Sequence, residues 1–155
     1  MRSFRDLNVL RLKTRTQFQA ALAGQTLART THFALHRCAL ESRSLLDQQA
    51  VLPRLFVERG VWLGAMVPKR WAKRAVTRNA IKRQIYSVCT EFEPSLVEGA
   101  HVVRLRTGFD RAQFTSATSE ALRLAVRMEL LKLFERALTP SVRQAVQVSP
   151  PPLVP

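Results

Sequence analysis

The sequence predicts a single mixed α+β domain, and three observations predict it. Apolar residues recur at helical spacing within residues 14–23, 75–92 and 113–138. Between these segments lie three short runs of strand formers, at 30–40, 61–67 and 101–106, bounded by glycine or proline or by polar stretches. A chain of 155 residues that is 46% hydrophobic has enough apolar surface for one core and is too short to favour two.

The first helix is marked by a capping box. Thr14 and Gln17 stand three apart ahead of Phe18, Ala21 and Leu22, and Gly24 supplies the stop. From Thr30 to Leu40, Phe33, Leu35 and Ala39 share one strand face, and His32, His36 and Cys38 share the other. Residues 41–54 read as a loop, long for a compact domain. Val61 to Val67 read as a buried strand that stops at Pro68. In the second helix Ile81, Ile85, Val88 and Phe92 form the inner face, while Arg78, Asn79, Lys82, Arg83 and Tyr86 share an adjoining arc. His101 to Arg106 form a further strand broken by Gly108. The last helix carries an apolar stripe of Phe114, Ala117, Ala121, Leu124, Met128, Leu131, Phe134 and Leu138, expected to face the core, and Pro140 ends it. Residues 139–155 are Pro-rich and are expected to be disordered, so the folded domain is assigned to residues 1–138.

Charge narrows the function. The chain has 25 Lys and Arg against 11 Asp and Glu, a formal charge of +14. So large an excess on a folded body calls for a polyanionic partner, nucleic acid before anionic membrane. No apolar run approaches the roughly 20 residues that span a bilayer. Two cysteines and no signal-peptide pattern point to a reducing cytoplasm. The excess is also localised. Between Glu58 and Glu91 there is no acid, yet Arg59, Lys69, Arg70, Lys73, Arg74, Arg78, Lys82 and Arg83 all fall there. A merely solvated helix would interleave Glu with Lys or Arg at i, i+4. A strand end, a turn and a helix start therefore converge as a phosphate-binding surface.

No self-contained catalyst is visible. Glu91 and Glu93 are an ordinary acidic loop entry, and His32, His36, Cys38 and Cys89 lack the short spacing of zinc ligands, so no metal or other cofactor is assigned to the protein. Tyr86 is the one aromatic inside the cationic arc. A DNA-binding helix-turn-helix is disfavoured, since a strand precedes residues 75–92.

The segment TRNAIKRQI, preceded by LGAMVPKRWAKRAV, resembles the arginine-asparagine signature of the bacterial ribonuclease P protein component. LKTRTQFQAALAG resembles the first helix of that family, THFALHR an early strand, and HVVRLRTGF the last strand, so the likeness covers about residues 8–138. It implies a two-layer αβ sandwich in the order α-β-β-β-α-β-α, with a left-handed βαβ crossover that runs against the usual right-handed rule. One strand of that order is missing from the residue pattern and is sought near Thr26 to Arg29 or Leu55 to Val57. The resemblance further implies a protein subunit of an endoribonuclease that matures the 5′ end of precursor tRNA, with hydrolysis carried out by the RNA subunit and its Mg²⁺. Lys69, Arg70, Lys73, Arg74, Arg78, Asn79, Lys82, Arg83 and Tyr86 would then face the catalytic RNA. Phe18, Leu22, Phe33 and His36 would line a cleft between the first helix and the sheet for the single-stranded 5′ leader of precursor tRNA. Ala80 and Tyr86 stand where the family typically has Arg. The alternative reading is a ribosomal-type or general structural RNA-binding protein that uses the same basic helix as a scaffold contact.

Overall fold

The computed structural model describes residues 9–40, 55–56, 58–109 and 120–138. Its elements are β1 (Leu10–Arg11), α1 (Arg15–Leu22), β2 (Gln25–Arg29), β3 (Phe33–Cys38), β4 (Val61–Met66), α2 (Ala75–Phe92), a 3₁₀ turn (Glu93–Ser95), β5 (Gly99–Leu105) and α3 (Glu120–Ala137). The strand missing from the residue pattern is β2, at the first of the two places expected. The two-residue β1 was not foreseen. The loop expected over 41–54, the helical start expected over 113–119 and the Pro-rich tail from 139 lie outside the described residues.

The α1 capping box forms as expected. Thr14 Oγ1 accepts from the Gln17 amide at 3.2 Å and Gln17 Oε1 accepts from the Thr14 amide at 3.2 Å. Gln17 Nε2 also donates to the Leu55 carbonyl at 2.9 Å, which ties the segment ahead of β4 to α1. At the α1–β2 turn a Cβ on Gly24 would come 2.1 Å from the Arg37 carbonyl oxygen, so only glycine allows that approach.

The sheet runs β1-β4-β5-β3-β2. β1 and β5 flank β4 in parallel, β3 pairs antiparallel with both β5 and β2, and α2 is the crossover of the parallel β4–β5 pair. Alternation along the strands divides the side chains between two faces. On one face Phe33, Leu35, Leu63, Ala65, Val103 and Leu105 pack under α2 and α3. On the other Cys38, Trp62, Ala100 and Val102 pack under α1. Cys38 and Cys89 therefore sit in different clusters, on opposite sides of the sheet.

In α2 the buried residues are Ile81, Ile85, Val88 and Cys89, with Phe92 half-buried and stacked on Phe134 at 5.6 Å. The orientation of α3 differs from expectation. Leu122, Val126, Leu130, Leu133, Phe134 and Ala137 are buried, whereas Leu124 and Met128 of the expected stripe are 60% and 53% exposed. The helix has two apolar arcs, and the one richer in branched side chains faces the core. On the side of α3 toward the β2–β3 turn, Glu129 clasps that turn. Its Oε2 accepts from Thr30 Oγ1 and from the His32 amide, each at 2.7 Å, and its Oε1 bonds His32 Nδ1 at 2.7 Å. The His32 ring in turn stacks on Phe109 at 3.9 Å.

His101 is fully buried at the centre of β5, bonded through Nδ1 to the Trp62 carbonyl at 3.3 Å. Burial first, then the Arg37 charge, pull its pKa down from 6.5 to about 4, against smaller opposing backbone hydrogen bonds at Trp62 and Gly99. The unfolded chain thus binds this proton before the folded chain does. The resulting stability is complete above pH 6.5 and is lost as pH falls toward 4, an effect on the order of 3 kcal/mol. Between pH 7.5 and 4.5 the melting temperature is expected to fall further for the native chain than for a His101→Leu variant; parallel curves would contradict this.

Candidate nucleic-acid interface

The basic corner is built where β4 hands over to α2. After Val67, the Pro68 carbonyl accepts from the amides of Trp71 and Ala72, each at 3.1 Å, and Ala72 is buried. That anchor leaves Lys69, Arg70, Trp71, Lys73 and Arg74 exposed on a fixed turn. Arg74 stands at the N-cap of α2 with no side-chain capping bond, and the first turn carries no acid. The positive end of the helix dipole therefore adds to the side-chain charges. On the helix itself Asn79 and Arg83 are exposed, and Arg78 and Lys82 are half-buried.

Arg78 has a structural task within this surface. Its Nη1 donates to the Ala72 carbonyl at 3.0 Å and to the Lys73 carbonyl at 2.8 Å, so it staples the turn onto the helix. Tyr86 is half-buried against the α2–α3 core, and the Arg11 guanidinium lies 4.2 Å from its ring centroid. Arg11 thus covers one face of a ring expected to meet RNA. It also brings to the arc of α2 a cation that the sequence reading missed, because β1 was not recognised. Arg59 leaves the set. It precedes β4, at the end of the sheet opposite the α2 N-terminus, and lies 4.0 Å from Glu98. Glu91, at the C-terminal end of α2, pairs with Arg127 of α3. Among the described residues of β4, α2 and their links, the acids gather at one end and the unopposed cations at the other.

The second surface is the α1 face of the sheet. Phe18 and Leu22, one helical turn apart, are both half-buried there. The Phe18 ring rests on Gly64 of β4, where a Cβ would come 2.4 Å from the ring, so the absent side chain makes its seat. His36 lies on the same sheet face, opposite Val102 in register, with Nδ1 3.1 Å from Thr26 Oγ1. Burial chiefly, then Arg104 and Arg29, lower its pKa, which keeps the ring neutral beside two cations. Its Nε2 is buried with no hydrogen-bond partner among the described residues. Phe33 does not belong to this surface. It points to the opposite face and is fully buried under α2 and α3 with Leu35 and Leu105. Strand alternation makes it impossible for Phe33 and His36 to line one cleft. Arg29 and Arg104 take its place beside His36, and strand parity with Val102 is the signal that locates Arg104.

Among the described residues no group of three or more His, Cys, Asp or Glu has the arrangement of a metal site. The Cys89 thiol is pushed up to about 12 by burial and then by Glu93, so it is not a thiolate nucleophile at neutral pH. Among the described residues no helix is long and apolar enough to cross a membrane.

Residues 8–129 match the family model described as Ribonuclease P. The chain belongs to the ribonuclease P protein family. Among relatives, the ribonuclease P protein component of Ralstonia pickettii is 30% identical over 142 residues, covering 92% of this chain and 89% of that one. The component from Bordetella parapertussis is 32% identical over 126 residues, with 81% and 89% covered. The Staphylococcus aureus RNase P protein structure shares the fold at TM-score 0.57 and 19% identity, covering 84% of this chain and 96% of that one. A mutant of that protein, described as defective in mRNA degradation activity, gives 0.55 at 20% identity, over 82% and 86%. Family membership makes the chain a ribonuclease P protein subunit, with the mixed α+β architecture of its family. The segment TRNAIKRQI, which resembles the signature of that family, lies on the helix of the basic corner.

Proposed function

We propose that the basic corner docks on the catalytic RNA of ribonuclease P, and that the α1 face of the sheet receives the single-stranded 5′ leader of precursor tRNA. The carrying observation is the end of α2 where Lys69, Arg70, Lys73 and Arg74 stand exposed on a turn fixed by Ala72 and Arg78, at a helix N-terminus with no acid in its first turn. Such a surface binds phosphates in a defined geometry. Arg83 and Lys82 extend it along the helix, and Arg11 over Tyr86 borders it. The RNA subunit, with Mg²⁺, supplies the chemistry of phosphodiester hydrolysis. This chain holds the RNA and the leader, screens phosphate charge and positions the substrate. On the leader face Phe18 contributes a half-buried aromatic ring, His36 a buried neutral ring in the sheet, and Arg29 and Arg104 the charge for the intervening phosphates.

The reading is tested by retrieving the tagged chain from a bacterial lysate and sequencing the RNA that comes with it. One abundant RNA, the ribonuclease P RNA, is the expected result. Recovery of ribosomal RNA alone would support a ribosomal-type scaffold protein instead.

A further inference from the structure

The two tryptophans of this chain have opposite surroundings. Trp62 is 6% exposed, donates Nε1 to the Glu58 carbonyl at 2.9 Å and packs on Phe56 at 5.5 Å. Trp71 is 36% exposed, although buried Val67 and Ala72 flank its turn. Its backbone is held from both sides. The amide donates to the Pro68 carbonyl, and Gly108 passes so close that a Cβ there would come 2.9 Å from the Trp71 carbonyl oxygen. The indole is thus an exposed aromatic on a rigid turn. An isolated exposed apolar side chain is ordinary. This one is set among exposed Lys69, Arg70, Lys73 and Arg74, with the Arg70 guanidinium 5.2 Å from its ring centroid.

We propose that Trp71 stacks on an unpaired base of the RNA that docks on the basic corner. The assignment rests on the RNA-docking reading above and deepens it. An apolar protein surface would have to strip water from four cations to reach the indole, at a cost its contact area does not repay. An unpaired nucleotide brings a flat apolar face and a phosphate together, which is the combination presented here. Duplex RNA brings the phosphates without a free base face. The contact therefore adds selectivity for a looped or bulged nucleotide to a surface otherwise sensitive only to phosphate. The fixed turn lowers the ordering cost of the stack.

The test measures binding of a bacterial ribonuclease P RNA transcript and of a fully paired RNA duplex, by titration at several salt concentrations and by indole emission. The transcript is expected to quench the native chain. It should leave Trp71→Phe, whose sole tryptophan is buried Trp62, nearly unquenched while binding is kept. Trp71→Leu should weaken transcript binding roughly tenfold, with the salt slope and duplex affinity unchanged. A quench that persists in Trp71→Phe overturns the proposal, as does equal weakening toward duplex and transcript. If Trp71→Leu does not fold, as judged by its circular dichroism melt, the emission comparison decides alone. Native chain that binds the transcript without salt dependence would overturn the docking reading and this one with it. Loss of affinity on removing Lys73 and Arg74, with none in a folded Trp71→Leu, would overturn only this one.

Discussion

Replacing Lys73, Arg74, Lys82 and Arg83 together by Gln is expected to weaken binding of a ribonuclease P RNA by about 200- to 1,000-fold near physiological salt. Each phosphate contact contributes roughly 0.7 to 0.9 to the slope of log affinity against log salt, so four contacts remove about 3 from that slope. Lys73, Arg74 and Arg83 are exposed and Lys82 half-buried, so the fold has little to lose. Relief of like-charge repulsion at the helix N-terminus should leave the melting temperature unchanged or slightly higher. Arg78 is left out of the set, because its two bonds to the turn would confound a loss of charge with a loss of geometry. A quadruple variant that binds with native affinity and native salt slope would remove the corner from the interface.

The second large effect is on stability. Glu129→Ala is expected to cost about 3 kcal/mol, roughly 10 °C in melting temperature, because it removes three hydrogen bonds of one carboxylate at once. Thr30 Oγ1, the His32 amide and His32 Nδ1 all bond that carboxylate at 2.7 Å, and its side chain is only 17% exposed. Glu129→Gln keeps one acceptor oxygen and should lose less. The clasp joins α3 to the β2–β3 turn and, through the His32–Phe109 stack, to the segment that runs past Trp71. Thermal melts of the two variants check the order. Equal stability of native and Ala chains would mean that the clasp does not hold α3.

Much of the fold was legible because its signals are local. The Thr14/Gln17 box starts α1, and the 81, 85, 88 spacing sets the inner face of α2. β2 was less legible for a physical reason. It is an edge strand, Gln25 to Arg29, with no fully buried residue, so no apolar alternation marks it. The α3 face was misread because Leu124 and Met128 share the helical spacing of Leu122, Val126, Leu130 and Leu133, and only the sheet decides which arc is covered. At the site, the acid-free run between Glu58 and Glu91 found the corner, although it also drew in Arg59, which pairs with Glu98 at the far end of the sheet. Strand parity alone already separates Phe33 from His36, and the structure places them on opposite faces. Arg11 and Trp71 escaped because their roles depend on tertiary neighbours, the Tyr86 ring in one case and the Gly108 backbone in the other.

The most direct measurement of the central claim is cleavage of a precursor tRNA by a bacterial ribonuclease P RNA at low Mg²⁺, with and without this chain. Stimulated 5′ cleavage with the native chain, a much smaller gain with the quadruple Gln variant, and no cleavage by the chain alone are the expected results. Equal RNA-only rates in the presence and absence of the native chain would contradict the account.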